Sequence, residues 1–300
     1  MRRSMYQRQF SRQRIHARWE DSGHHMKSDS RITRRHFITG SVLPVAGALL
    51  PVRTMGAQQT TSLSSVGDAP LLEDLVAANR ILAQHDIVDA WGHVSVRNRQ
   101  ATDRYVLSRS LAPDLVTLAD LIEFDSDSKP TRSDARPLYL ERFIHGEIYR
   151  VRPDVNAVVH CHTPSLIPFS VSAVRLRPLY HLAAFIGDGL PVFDIRDAAG
   201  MSDMLVSDRE RARALALALG DRPAALMRGH GAVIVGSSLP IAVGRCIYLD
   251  MNARLQTTAI ALGGPIRYLD PAEAGKVMAA GENGGYARGW ELWKRKVTSK

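Results

Sequence analysis

The stretch Val158-Val159-His160-Cys161-His162-Thr163-Pro164-Ser165, VVHCHTPS, closes an apolar run with two histidines one residue apart. Val155, Ala157, Val158 and Val159 lead in like a strand, and Thr163-Pro164 stops it. Side chains i and i+2 of a strand share a face, so His160 and His162 point one way and Cys161 the other. Two neutral imidazoles on one face, at the mouth of a sheet, suit a divalent metal. The same pattern also describes two inert polar residues at a strand end. Further ligands have to decide.

The chain of 300 residues, 45% of them hydrophobic, has material for a large core. Its net charge of +9 invites a nucleic-acid partner, but the charge is not spread evenly. Residues 1–60 carry 11 Lys/Arg against 3 Asp/Glu, and residues 61–300 carry 28 against 27. The basicity belongs to the N-terminal segment, which removes the case for nucleic acid. Cys161 and Cys246 have neither zinc-finger spacing nor the numbers for a disulfide framework. Cys246 is expected as a small buried residue on a helix.

The N-terminal segment reads as an export signal. Arg34-Arg35 with Phe37 is followed by the modest apolar run SVLPVAGALLPV and by small residues near Ala57. The arginine pair resembles the twin-arginine type, which implies a periplasmic protein, or a cytoplasmic one if the signal is not functional. Met26 is a more natural start than Met1, and residues 1–25 read as a disordered basic extension. No segment is long and apolar enough for a stable membrane span. The expected organisation is therefore extension and signal over 1–57, linker over 58–70, and a catalytic domain over 71–300.

Within that domain, Leu72, Leu75, Val76, Ala78, Leu82 and Ala83 recur at helical spacing. GHVSVRN and RYVLSRS alternate like paired strands, and LVTLADLIEFD reads as a helical turn entering a strand. LYLERFIHGEIYRVRPD reads as one helix with Leu138, Phe143, Ile144 and Ile148 on one side. LPVFD reads as a strand, RERARALALALGD as a helix capped by Gly220, and LPIAVGRCIYLDMNARLQTTAIALGG as a long helix. AALMRGHGAVIVG gives two strands meeting at Gly229-His230-Gly231. Alternating helices and strands imply a single α/β unit.

His230, between glycines that permit a tight turn, supplies a third imidazole. Glu141, on the helix before the His-x-His strand, can fold back over His160. Three imidazoles and a carboxylate suit zinc first, with manganese, iron or cobalt as alternatives, at one divalent metal per chain. GHVSV, YLERFIHGEIYRVRPDVNAVVHCHTP and LMRGHGAVIVG, with Glu141 nineteen residues before His160, resemble the landmarks of the class II aldolase/adducin family. The resemblance covers about Leu71 to Gly264. It implies a three-layer α/β/α sandwich around a mainly antiparallel sheet. It also implies a metal held by His160, His162, His230 and Glu141, and a homotetramer with active sites at subunit interfaces.

The chain departs from the family's sugar-phosphate aldolases. Tyr139 and Leu140 stand where a Ser-Ser pair helps hold the phosphate, and Gly92-His93 replaces a Gly-Asn. Ser108-Arg109-Ser110 occupies the anion loop, and Arg109 suits a carboxylate. The expected substrate is thus a small carboxylated molecule, bound by Arg109, Ser108, Ser110 and His93. The closest resemblance is to the branch of hydroxy-carboxy-muconic semialdehyde and dihydroxyphthalate decarboxylases. The expected activity is that of a carbon–carbon lyase, a decarboxylase working through a metal-stabilised enolate. Glu141 is its fourth ligand or general base, and His181 and Tyr286 are candidate proton donors. A class II aldolase or epimerase is the alternative, and an adducin-like interaction module is the non-enzymatic one.

Overall fold

The computed structural model of the protein describes residues 68–299. The extension and the twin-arginine signal fall outside the described residues, as does most of the linker. The linker ends earlier than expected. Helix α1 (Ala69–Gln84) already begins at Ala69, because the Asp68 side chain accepts from the Leu71 N–H and Pro70 pre-sets the first turn.

The chain continues through β1 (His93–Arg97), β2 (Tyr105–Ser108), β3 (Leu121–Phe124), α2 (Phe143–Val151) and β4 (Ala157–Cys161). Then follow α3 (Ile167–Val171), β5 (Val192–Phe193), α4 (Arg196–Ala199), α5 (Arg209–Leu219), β6 (Ala224–Met227) and β7 (Gly231–Gly236). The long α6 (Leu239–Leu262), α7 (Pro271–Ala279), α8 (Glu282–Gly285) and α9 (Ala287–Thr298) complete it. The seven strands form one sheet in the order β3-β2-β1-β4-β7-β6-β5, and only the short edge pair β5–β6 is parallel.

Two hydrophobic layers sandwich this sheet. On one face Leu75, Ile81 and Leu82 of α1, Val243 and Ile247 of α6 and Trp293 of α9 pack on Val94, Val96, Val159, Cys161 and Ile234. On the other, Ile144 and Ile148 of α2 with Leu215 and Leu219 of α5 pack on Leu107, Ile122, Val158, Val233 and Val235. Strand alternation sorts the residues: Ala157, Val159 and Cys161 face the first layer, Val158 and His160 the second. This is the expected three-layer α/β/α sandwich with a mainly antiparallel sheet.

Gly220 caps α5 with φ +57, and Cys246 is buried on α6, both as expected. The helix expected across 138–154 is broken instead. Leu140–Arg142 is a 3-10 turn, and Glu141 sits at φ −89, ψ 16, in the bridge region where active-site residues collect. The carboxylate is pinned from outside the helix, and the backbone follows it. Among the described residues no helix is long and apolar enough to cross a membrane.

Candidate metal centre

Three stretches deliver four groups to one point. Glu141 comes from the kinked turn before α2, His160 and His162 from the end of β4, and His230 from the turn joining β6 to β7. Two glycines make that last turn fit. Gly229 takes φ +62, and its N–H donates to Ser170 Oγ at 3.0 Å. At Gly231 an added Cβ would lie 2.0 Å from the Cys161 carbonyl oxygen, so β7 can pair with β4 only without a side chain there.

The candidate ligand atoms all lie within 4.8 Å of one another. His162 Nε2 is 3.1 Å from His160 Nε2 and 3.1 Å from His230 Nε2. Glu141 Oε2 is 3.2 Å from His160 Nε2 and 3.6 Å from His230 Nε2. A tetrahedral zinc site with bonds of 2.0–2.1 Å has edges of about 3.3 Å, the spacing found here.

Neighbouring groups fix the orientation. His160 Nδ1–H donates to the Ala232 carbonyl at 3.1 Å and His230 Nδ1–H to the Met204 carbonyl at 3.0 Å, which turns Nε2 of each ring to the centre. Glu141 Oε1 accepts from the Val206 N–H at 2.9 Å, leaving Oε2 for the same point. His162 can donate one hydrogen to only one of its two Nε2 neighbours. The convergence of lone pairs and a carboxylate therefore fits a divalent cation held by these four residues.

Burial drives the His162 pKa down to about 4, with His160 and His230 adding to the effect, so the ring is neutral and ready to ligate. Burial works to raise Glu141, but the surrounding His160 and His230 outweigh it and hold the carboxyl far below the usual range. Burial likewise opposes charge on His230, but the adjacent Glu141 carboxylate outweighs it and raises its pKa, so the carboxylate favours a positive charge at this point.

The other predicted residues distribute differently. His93 joins the centre's edge: it pairs with His160 across β1–β4, with ring centroids 5.2 Å apart. Ser108 is buried at the end of β2, and the Ser110 N–H donates to the Pro137 carbonyl at 2.8 Å. Arg109 is not an uncommitted cation, because its Nε donates to Asp120 Oδ1 at 2.7 Å. Tyr139, in place of a small hydroxyl, lays its ring 4.5 Å from that of His93. His181 and Tyr286 line a cavity of about 470 Å³ with Leu182, Tyr248, Arg288, Gly289 and Leu292, none of them a member of the cluster. Tyr286 is buried at φ +58 and stacks on Tyr248 at 5.4 Å.

Sequence reading missed His145, Ser95 and Tyr149, which form a buried hydrogen-bonded row behind His93. The signal was present as spacing. Residues 93, 95 and 97 share a strand face, and 141, 145 and 149 fall one helical turn apart.

Known proteins with this architecture agree. The family described as Class II Aldolase and Adducin N-terminal domain matches residues 73–257. Decarboxylase tropJ of Talaromyces stipitatus is 34% identical over 244 residues, covering 74% of this chain and 92% of that protein. The 3,4-dihydroxyphthalate decarboxylase of Arthrobacter keyseri is 29% identical over 226 residues, covering 70% of this chain and 86% of that one. Among solved structures, L-fuculose 1-phosphate aldolase from Glaciozyma antarctica superposes with a TM-score of 0.65 at 24% identity, covering 79% of this chain and 92% of that one. This last likeness is one of fold. The matched span contains all four groups of the cluster, and the chain belongs to the class II aldolase and adducin family.

Proposed function

We propose that the protein is a metal-dependent carbon–carbon lyase that decarboxylates a hydroxylated carboxylic acid or semialdehyde of aromatic origin. The observation that carries this reading is the convergence of His160, His162, His230 and Glu141 on one point, with the outer atoms of His160, His230 and Glu141 already committed. A divalent cation held there, zinc first, supplies Lewis acidity to substrate oxygens beside the bond that breaks. Glu141 serves as fourth ligand or, displaced by substrate, as general base. Tyr139 and Leu140 offer no pair of small hydroxyls to a phosphate. Leu140 instead exposes 61% of its surface beside Glu141, which favours an apolar ring. Relatives bearing decarboxylase names support the same choice.

His181 and Tyr286, set in their own cavity, serve as proton donors to a neighbouring subunit's centre in a homotetramer, and sedimentation tests the assembly. Export by the twin-arginine route, with a periplasmic address, is part of the proposal and is checked by cell fractionation. The deciding experiment is elemental analysis of the wild type beside His160→Ala, followed by CO2 release from 3,4-dihydroxyphthalate. About one metal per chain, lost in the variant, with CO2 released, is the expected result. Efficient cleavage of a sugar phosphate without CO2 would turn the choice to aldolase. No metal even after reloading with zinc or manganese would end the lyase reading and favour an interaction module.

A further inference from the structure

Behind the metal cluster runs a row of polar groups inside the second hydrophobic layer. The Tyr149 hydroxyl lies 2.8 Å from Ser95 Oγ, Ser95 Oγ 2.6 Å from His145 Nδ1, and His145 Nε2 2.6 Å from His93 Nδ1. All four side chains are buried. Arg97 fixes the far end. It donates to the carbonyls of Val155, Thr102, Tyr149 and Arg152 and sets its guanidinium 4.7 Å over the Tyr149 ring.

Each of these three hydrogen bonds needs one hydrogen, and three arrangements are open. If the row runs from His93 toward Tyr149, the Tyr149 O–H is stranded in the core. If Ser95 accepts from both sides, its own O–H is stranded. A stranded buried donor costs about 1–3 kcal/mol. If Tyr149 donates to Ser95, Ser95 to His145 and the His145 Nε2–H to His93 Nδ1, nothing is stranded. The remaining hydrogen sits on His93 Nε2. That nitrogen has no hydrogen-bond partner among the described residues.

Burial drives the His145 pKa down to about 3, which favours the neutral ring. His93 faces His160 across the strand pair, at the edge of the metal cluster.

We propose that Tyr149, Ser95 and His145 form a one-way hydrogen-bond chain that locks His93 as its Nε2–H tautomer, a fixed donor to an anionic substrate oxygen beside the metal. The identity of that oxygen rests on the lyase reading, whereas the tautomer rests on the chain's geometry alone. A locked Nε2–H makes His93 neither a fifth ligand nor a base in its resting state. His145, Ser95 and Tyr149 are positioning residues.

The test is a long-range 1H–15N correlation on histidine-labelled, zinc-loaded full-length protein, with the His93 signal assigned by its loss in His93→Asn. The expected wild-type pattern is a protonated Nε2 and an unprotonated Nδ1, and adding 3,4-dihydroxybenzoate shifts the Nε2–H resonance. Ser95→Ala, which removes the donor to His145 Nδ1, shows mixed tautomers, and its kcat for CO2 release falls roughly 10–100-fold at unchanged metal content. A wild-type Nδ1–H pattern, which needs no variant to observe, overturns the lock. An Nε2–H resonance unmoved by 3,4-dihydroxybenzoate, in protein that releases CO2, overturns the donor role. Wild-type protein with the Nε2–H pattern and no CO2 release defeats the lyase reading and leaves the lock standing.

Discussion

Two groups of polar side chains stand side by side on one face of the sheet, and they balance hydrogens differently. In the row His93–His145–Ser95–Tyr149, donors and acceptors alternate and every internal bond can be made by the protein itself. At Glu141, His160, His162 and His230, the outer atoms of Glu141, His160 and His230 are tied to backbone groups, and the inner atoms of all four crowd one point with too few hydrogens to bond one another. Buried polar groups need partners. The first set is complete, and the second is complete only with a cation. The number of hydrogens, more than the number of histidines, separates a positioning network from a metal centre.

That contrast is easiest to break at His160, which is fully buried. His160→Ala should abolish bound metal in elemental analysis and lower turnover by about a thousandfold or more, because a Lewis-acid metal contributes several kcal/mol. Full metal occupancy in this variant would erase the distinction between the two sets. Glu141→Gln keeps an oxygen for the centre and removes its charge and basicity. It should retain more metal than His160→Ala while losing roughly 100-fold in turnover, and wild-type turnover would end its assigned role. In the neighbouring row, Ser95→Ala should leave metal content intact and lower kcat by roughly 10–100-fold. Loss of metal there would mean that the two sets are one.

The smallest effect is one of pH. The His145 pKa is about 3 in the fold, against 6.5 for an ordinary histidine, because burial keeps it neutral. Below pH 6.5 the unfolded chain takes up a proton that the folded chain refuses. Stability from this group is therefore complete above pH 6.5 and declines as pH falls toward 3, by about 1.4 kcal/mol per unit. Urea unfolding of metal-free protein at pH 7 and 5.5 should show this loss, and His145→Gln should make it smaller. An equal slope in both proteins would mean that His145 is protonated in the fold.

Much of this was legible in the chain because strands and helices impose periods. VVHCHTPS alone put His160 and His162 on one face, and the glycines around His230 marked a turn. Glu141 was legible as a ligand but not as a kink, since Val206, far along the chain, holds its carboxylate. Arg109 was legible as a cation near the anion loop but not as a partner of Asp120. His181 and Tyr286 read as neighbours of the site and lie in another cavity.

The sequence by itself determined which residues share a face: 93, 95 and 97 on one strand, 158, 160 and 162 on another, 141, 145 and 149 along a helix. Only the tertiary structure decided that these three faces meet, because the pairing of β1 with β4 and the packing of α2 over them are set by the two hydrophobic layers. Local geometry reaches a few residues along the chain. Bringing His230 to His160, or Tyr149 to Ser95, takes the burial of a core.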